Sequence, residues 1–174
     1  MPAADTLRVN RAPVLTLWAA VVAGRLGQPH ATALSLASAV AGTAAQAKAR
    51  RLGLAEPTAP REGPAPRQAT IRLLGREVAV MAGANGVLLA AGRDGRPAAA
   101  APVEAYLGRA FGDRLGEVRG AMERLAARWE PEELNRIGFR LYERFRPEVP
   151  EGVKGWGAKG EFSLAAVAAA ADAA

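Results

Sequence analysis

Between Pro13 and Leu26 the apolar residues Val14, Leu17, Trp18, Val21, Val22 and Leu26 recur at the three- and four-residue steps of one helix face. Pro13 suits a first helical turn and Gly27 a stop, so the pattern predicts a helix over 13–26. Pro29 opens a second predicted helix over 31–52, with Leu34, Ala37, Val40, Ala41, Ala44 and Ala47 on one side and Gly53 at its end. Alanine at so many of these positions lets another helix or a backbone approach closely. Residues 56–68 contain Pro57, Pro60, Gly63, Pro64 and Pro66 and read as an extended linker.

The period then changes from helical to two. Ile71, Leu73, Val78, Val80, Val87 and Leu89 alternate, with turns at Gly75-Arg76, Asn85-Gly86 and Asp94-Gly95. This predicts three short antiparallel strands, with room for a fourth near Arg96. So small a sheet needs a helix over one face. Helical spacing returns over 103–111, over 113–129 (Leu115, Val118, Met122, Leu125 and Trp129 inward) and over 131–145 (Leu134, Ile137, Leu141 and Phe145 inward). Glu130, Glu132 and Glu133 at the start of the last helix, and Arg144 and Arg146 at its end, complement the helix dipole.

The prolines and glycines of 146–162 forbid a long helix or a central strand, yet that stretch holds Trp156 and Phe162. Either these rings staple the segment to the helices, or Trp156 stacks on a base while Lys154 and Lys159 meet phosphates. The first ten residues read as a loose arm, and the alanine-rich tail from Ser163 is expected to fray. The fold class is therefore α+β: an N-terminal helical pair (1–55), a proline-rich linker (56–68), a three-stranded antiparallel meander with a C-terminal helical group closed by a Gly/Trp-rich segment (69–162), and an Ala-rich tail (163–174).

Composition narrows the chemistry. In 174 residues there is no cysteine and one histidine, His30, which excludes disulfides, thiol catalysis, cysteine-ligated zinc and a histidine-rich metal site within one chain. His30, at a helix start without a second ligand, reads as a capping or surface residue. Net charge is +6, and arginine supplies 20 of the 23 basic residues. The excess lies early: residues 1–56 carry six basic and two acidic groups, whereas 102–146 carry nine and eight. A positive excess favours anionic partners; a GC-rich coding sequence would enrich arginine equally. The apolar run Ala12–Ala23 follows Arg8 and Arg11 as a secretory signal would, but it falls short of the ~20 residues a membrane span needs. Its helical pattern continues into Arg25-Leu26, so the expected compartment is the cytoplasm, without a membrane partner.

The densest basic cluster is Lys48, Arg50 and Arg51, explained either by the dipole at a helix C-terminus or by phosphate contact. The two N-terminal helices could form a helix–turn–helix, with Gln28, His30, Thr32, Ser35 and Ser38 offered to bases, or a plain αα-hairpin. Arg72, Arg76, Arg93 and Arg96 could track a nucleic-acid backbone or guard strand edges. Arg114, Glu117, Arg119, Glu123, Arg124, Arg128, Glu143 and Arg144 read as a solvated face laced with i,i+4 pairs. Lys154-Gly155-Trp156-Gly157-Ala158-Lys159-Gly160 lacks the spacing of a phosphate-binding loop.

The runs Val9-Asn10-Arg11-Ala12-Pro13-Val14-Leu15-Thr16-Leu17-Trp18-Ala19-Ala20-Val21-Val22-Ala23 and Gly152-Val153-Lys154-Gly155-Trp156-Gly157-Ala158-Lys159-Gly160-Glu161 resemble segments of an uncharacterised bacterial protein family of this length. The resemblance implies that the two segments work together in one small domain; it carries no activity and no catalytic residues.

With no nucleophile–base pair, metal constellation or cofactor motif in view, these features point to a non-enzymatic nucleic-acid-binding protein, with DNA as the preferred ligand. Phosphate contacts would come from Arg8, Arg11, Lys48, Arg50, Arg51, Lys154 and Lys159, with Trp156 available for stacking. The alternative is a protein–protein interaction module, a homo-oligomer or a subunit of an assembly, using the alanine-rich surface of the second helix.

Overall fold

A computed structural model describes residues 6–51, 70–83, 86–91, 96–147 and 160–171, with side chains described for all of these except 42–51. The architecture is α+β, as the change of period predicts. Strand β1 (Thr6–Val9) leads into α1 (Arg11–Arg25) and α2 (His30–Arg51); β2 (Thr70–Leu73), β3 (Arg76–Ala82) and β4 (Leu88–Ala90) follow. Then come α3 (Ala100–Phe111), a 3-10 turn (Gly112–Arg114), α4 (Leu115–Ala126), α5 (Pro131–Phe145), β5 (Gly160–Ser163) and α6 (Leu164–Ala170). The linker 56–68 lies outside the described residues.

Helix α1 is the centre of the molecule. Val14, Leu15, Leu17, Trp18, Ala19, Val22 and Ala23 are all buried, so more than one face of the helix is covered. It packs against α2, α3, α4, α5 and β2, as a helix apolar on more than one face must. Val21 and Leu26, placed on the inward face by periodicity, are only half-buried, while Leu15 takes a core position. The N-terminal helices and the later helices thus share one hydrophobic core.

The meander runs in the order β2-β3-β4, with Ile71 opposite Val78 and Val80 opposite Ala90. Ala90, not Leu89, is the buried residue of β4. A fourth strand near Arg96 is reduced to a single bridge between Ala91 and Pro97. The turn joining β2 to β3 is Leu74-Gly75, one residue earlier than expected. Both residues have positive φ (52° and 80°), the requirement of a two-residue hairpin loop. Leucine is strained there by about 1–3 kcal/mol, and two features offset it. Leu74 is buried, and Asn135 of α5 grips the hairpin: its Oδ1 accepts from the Leu74 N–H (2.7 Å) and its Nδ2 donates to the Arg72 carbonyl (2.8 Å). Where Leu74 meets α5 the helix carries Gly138, since a Cβ there would intrude on Leu74 Cδ2.

Helix α2 covers the meander and bonds to it directly. Ser35 Oγ accepts from the Ala90 N–H (2.8 Å) and donates to the Ala98 carbonyl (2.6 Å), and Thr32 Oγ1 donates to the Leu88 carbonyl (2.6 Å). Both side chains are buried. They satisfy backbone groups at the meander's edge strand, so they are not presented to bases, and the N-terminal pair packs as an αα-hairpin.

Two expectations about the chain ends need correction. Residues 6–9 are not part of a loose arm: β1 pairs antiparallel with β5, Leu7 opposite Phe162 and Val9 opposite Gly160. The tail does not fray from Ser163 onward. Ser163 Oγ caps α6 by accepting from the Ala166 N–H, and Val167 and Ala170 are buried where α6 meets α4 and α5.

A chain of rings ties these ends to the centre. Phe145 meets Trp18 (5.3 Å), Tyr142 (6.0 Å) and Phe162 (6.3 Å) edge-on. Trp18 Nε1 donates to the Gly138 carbonyl at 2.8 Å. Phe162 is fully buried, so this end of the closing segment is a staple.

The Tyr142 phenol donates to the Arg11 carbonyl at 3.3 Å, a bond only the neutral phenol can make. Burial pushes its pKa from 10.0 up to about 12; Arg11 and Arg146 pull the other way, and Glu143 adds to the rise. Below pH 10 both folded and unfolded chains keep this proton, and the contribution to stability is fully present. Between pH 10 and about 12 the unfolded chain releases it first, so stability falls by about 1.4 kcal/mol for each pH unit crossed. Urea midpoints compared across that window should fall further for the wild type than for Tyr142→Phe. Equal falls would show that Tyr142 does not titrate this way.

Candidate nucleic-acid interface

Of the residues nominated from sequence, Arg8 and Arg11 have described side chains. Arg8 is exposed on β1, directly across from Glu161 on β5. Arg11 is half-buried at the start of α1, where its Nε donates to the Pro147 carbonyl (2.8 Å) and anchors the chain leaving α5. Lys48, Arg50 and Arg51 fall in the last turns of α2, where only the backbone is described, and Lys154, Trp156 and Lys159 lie outside the described residues. Arg72 stands across from Glu77 in the hairpin.

The turn after α4 and helix α5, by contrast, bring arginines together. With Ala171, just past α6, they line an open cleft of about 480 Å³ formed by Arg128, Trp129, Glu133, Ile137, Arg140, Leu141, Arg144 and Ala171. Leu141 is buried and Trp129, Ile137 and Ala171 are half-buried, so they form the floor; the three arginines are exposed and form the rim. Among the described residues, none of Arg128, Arg140 and Arg144 has a carboxylate within ion-pair distance. Glu133, the one acid lining the cleft, is instead 3.4 Å from Arg136 Nη2. Three cations and one already-engaged carboxylate around an apolar floor give the cleft a positive rim, the electrostatics that would suit an anion with a flat or apolar part.

This refines the reading of Arg114, Glu117, Arg119, Glu123, Arg124, Arg128, Glu143 and Arg144 as a solvated face laced with i,i+4 pairs. Among the described residues, the ion pairs within 113–146 include Arg114–Glu117 and Arg136–Glu133, both three residues apart. One signal in the sequence pointed here. Arg136, Arg140 and Arg144 repeat at i,i+4 along α5, and like charges so spaced work against a helix.

A second cleft of about 480 Å³ lies between the end of α1, the start of α2 and α4, with Arg25 and Arg119 against Glu123 and with Gln28 and His30 at its edge. His30 is exposed and its Nε2 is 3.7 Å from Glu104 Oε1. Arg25 Nη2 donates to the Trp129 carbonyl (3.0 Å), so the two clefts adjoin at the turn between α4 and α5. On α2, Leu34, Ala37, Val40 and Ala41 are buried within the chain's own core, which leaves this part of the alanine-rich face closed to a partner.

Among the described residues no helix is long and apolar enough to cross a membrane. No family model, curated protein or solved structure matches the chain.

Proposed function

We propose that this is a non-enzymatic nucleic-acid-binding protein of the cytoplasm, DNA being the first ligand to test, and that Arg128, Arg140 and Arg144 carry the binding. The supporting observation is the convergence of these three arginines, without carboxylate partners among the described residues, on one cleft that contains Trp129. Cations so placed exchange condensed counterions for phosphate contacts, and affinity then depends on salt. Lys48, Arg50, Arg51, Lys154 and Lys159 would add contacts of the same kind. The alternative, an interaction module or homo-oligomer, would have to use α2 beyond Ala41.

Fluorescence anisotropy of labelled duplex and single-stranded DNA, titrated over a salt series, tests this reading. Replacing all three arginines by glutamine should weaken binding at least about tenfold and lower the log–log salt slope by about 2–3. Absence of binding at low salt, or a triple variant with unchanged affinity and slope, would overturn it.

A further inference from the structure

We infer that the cleft over Trp129 selects single-stranded over double-stranded nucleic acid, with one base stacked on Trp129 and the flanking phosphates held by arginines of this cleft and the adjoining one. This rests on the nucleic-acid reading and adds to it the strand state and the path. Three observations carry it.

The floor of the cleft is apolar and recessed, and Trp129 keeps part of its surface there while the arginines stand at the rim. A duplex hides its base faces in the stack and presents a convex ridge of phosphates, which would meet the rim and leave the floor untouched. An unpaired strand can turn a base inward, because every base has a face to stack on an aromatic ring.

The first turns of α2 offer a duplex groove little to read it with. Thr32 and Ser35, two of the polar residues there, are buried and bonded to the backbone at Leu88, Ala90 and Ala98, which leaves His30 as the exposed one. A groove-reading mode would require them to face outward.

The site also continues past one nucleotide. Arg25 bonds to the Trp129 carbonyl and lines, with Arg119, the adjoining cleft. Cations therefore line both adjoining clefts: Arg25 and Arg119, with Glu123, the one towards α1, and Arg128, Arg140 and Arg144 the one beside α5. A polymer with regularly spaced phosphates fits that arrangement better than a free nucleotide, which engages only one cleft.

The test uses the full chain with an oligothymidylate of about ten nucleotides, a duplex of the same length and thymidine 5′-monophosphate as probes. The oligothymidylate should bind about tenfold or more tightly than the duplex. Trp129→Leu should lose about tenfold of that affinity, a larger factor than it loses for the duplex, and Trp129→Tyr should recover most of it. Arg25→Gln should weaken the oligothymidylate more than the monophosphate. Ultraviolet cross-linking of a 5-iodouracil-substituted strand to the wild-type chain should label Trp129, a readout that survives if Trp129→Leu fails to fold. Equal or tighter duplex binding, a monophosphate as tight as the oligomer, or cross-links confined to residues away from Trp129 would each overturn the inference and leave the nucleic-acid reading standing. Binding of none of the three probes removes both.

Discussion

Trp18→Ala should lower the unfolding free energy by about 3–5 kcal/mol, near the top of that range, which is a large share of the stability of a domain this size. Trp18 is fully buried at the centre of α1, edge-on to Phe145, with its Nε1 bonded to the Gly138 carbonyl. Truncation opens a cavity among α1, α5 and the Leu74 turn and also removes the second hydrogen bond to that carbonyl, which keeps its helical donor, the Tyr142 N–H. Trp18→Phe separates the two contributions, since it keeps a ring and removes the N–H. It should cost about 0.5–1.5 kcal/mol, the net contribution of one hydrogen bond to an acceptor that keeps its helical donor. Urea unfolding monitored by circular dichroism measures both, as midpoint shifts at constant slope. A loss under about 1 kcal/mol for Trp18→Ala would contradict the central placement of α1.

Phe162→Ala should cost about 3–5 kcal/mol as well, although its neighbours in sequence are glycine, glutamate and serine. The ring is fully buried against Phe145 and holds β5, and hence the start of α6, to the body of the molecule. Because Trp18 and Phe162 both pack on Phe145, their effects should not add. A double-mutant cycle should return a coupling of about 0.5–3 kcal/mol. Additivity would mean that the rings form two independent contacts rather than a continuous packing unit.

Much of this architecture was legible because it is local. The helices over Pro13–Leu26 and 131–145 announce themselves by apolar spacing, and the meander by alternation between turn residues. Pairings with distant partners left no such mark. Strand β1 pairs with β5, and Thr6 meets Ser163 across nearly the whole length of the chain. Four residues with two apolar side chains therefore read as an arm. Alanines of the tail read as fraying because their stabilisation comes from α4 and α5, not from helix propensity. Thr32 and Ser35 read as surface polar residues because nothing on α2 itself shows that a strand edge lies against them.

The candidate site divides in the same manner. The i,i+4 repeat of Arg136, Arg140 and Arg144 is written into the chain, but Arg128 and Trp129 join the cleft only because the turn after α4 folds back beside α5. Arg11 shows the converse: a cation that looked available is engaged by the Pro147 carbonyl far along the chain.

Residue order alone settled the five longer helices, the three-stranded meander, and which chemistries lack the side chains to occur. Those properties depend on neighbours within a few positions and on inventory. Tertiary packing settled which arginines converge, which polar side chains are occupied by backbone groups, and that the strands near the two ends of the chain close on one another. Each of these is a contact between residues far apart in the chain, and its energy exists only once burial has brought them together.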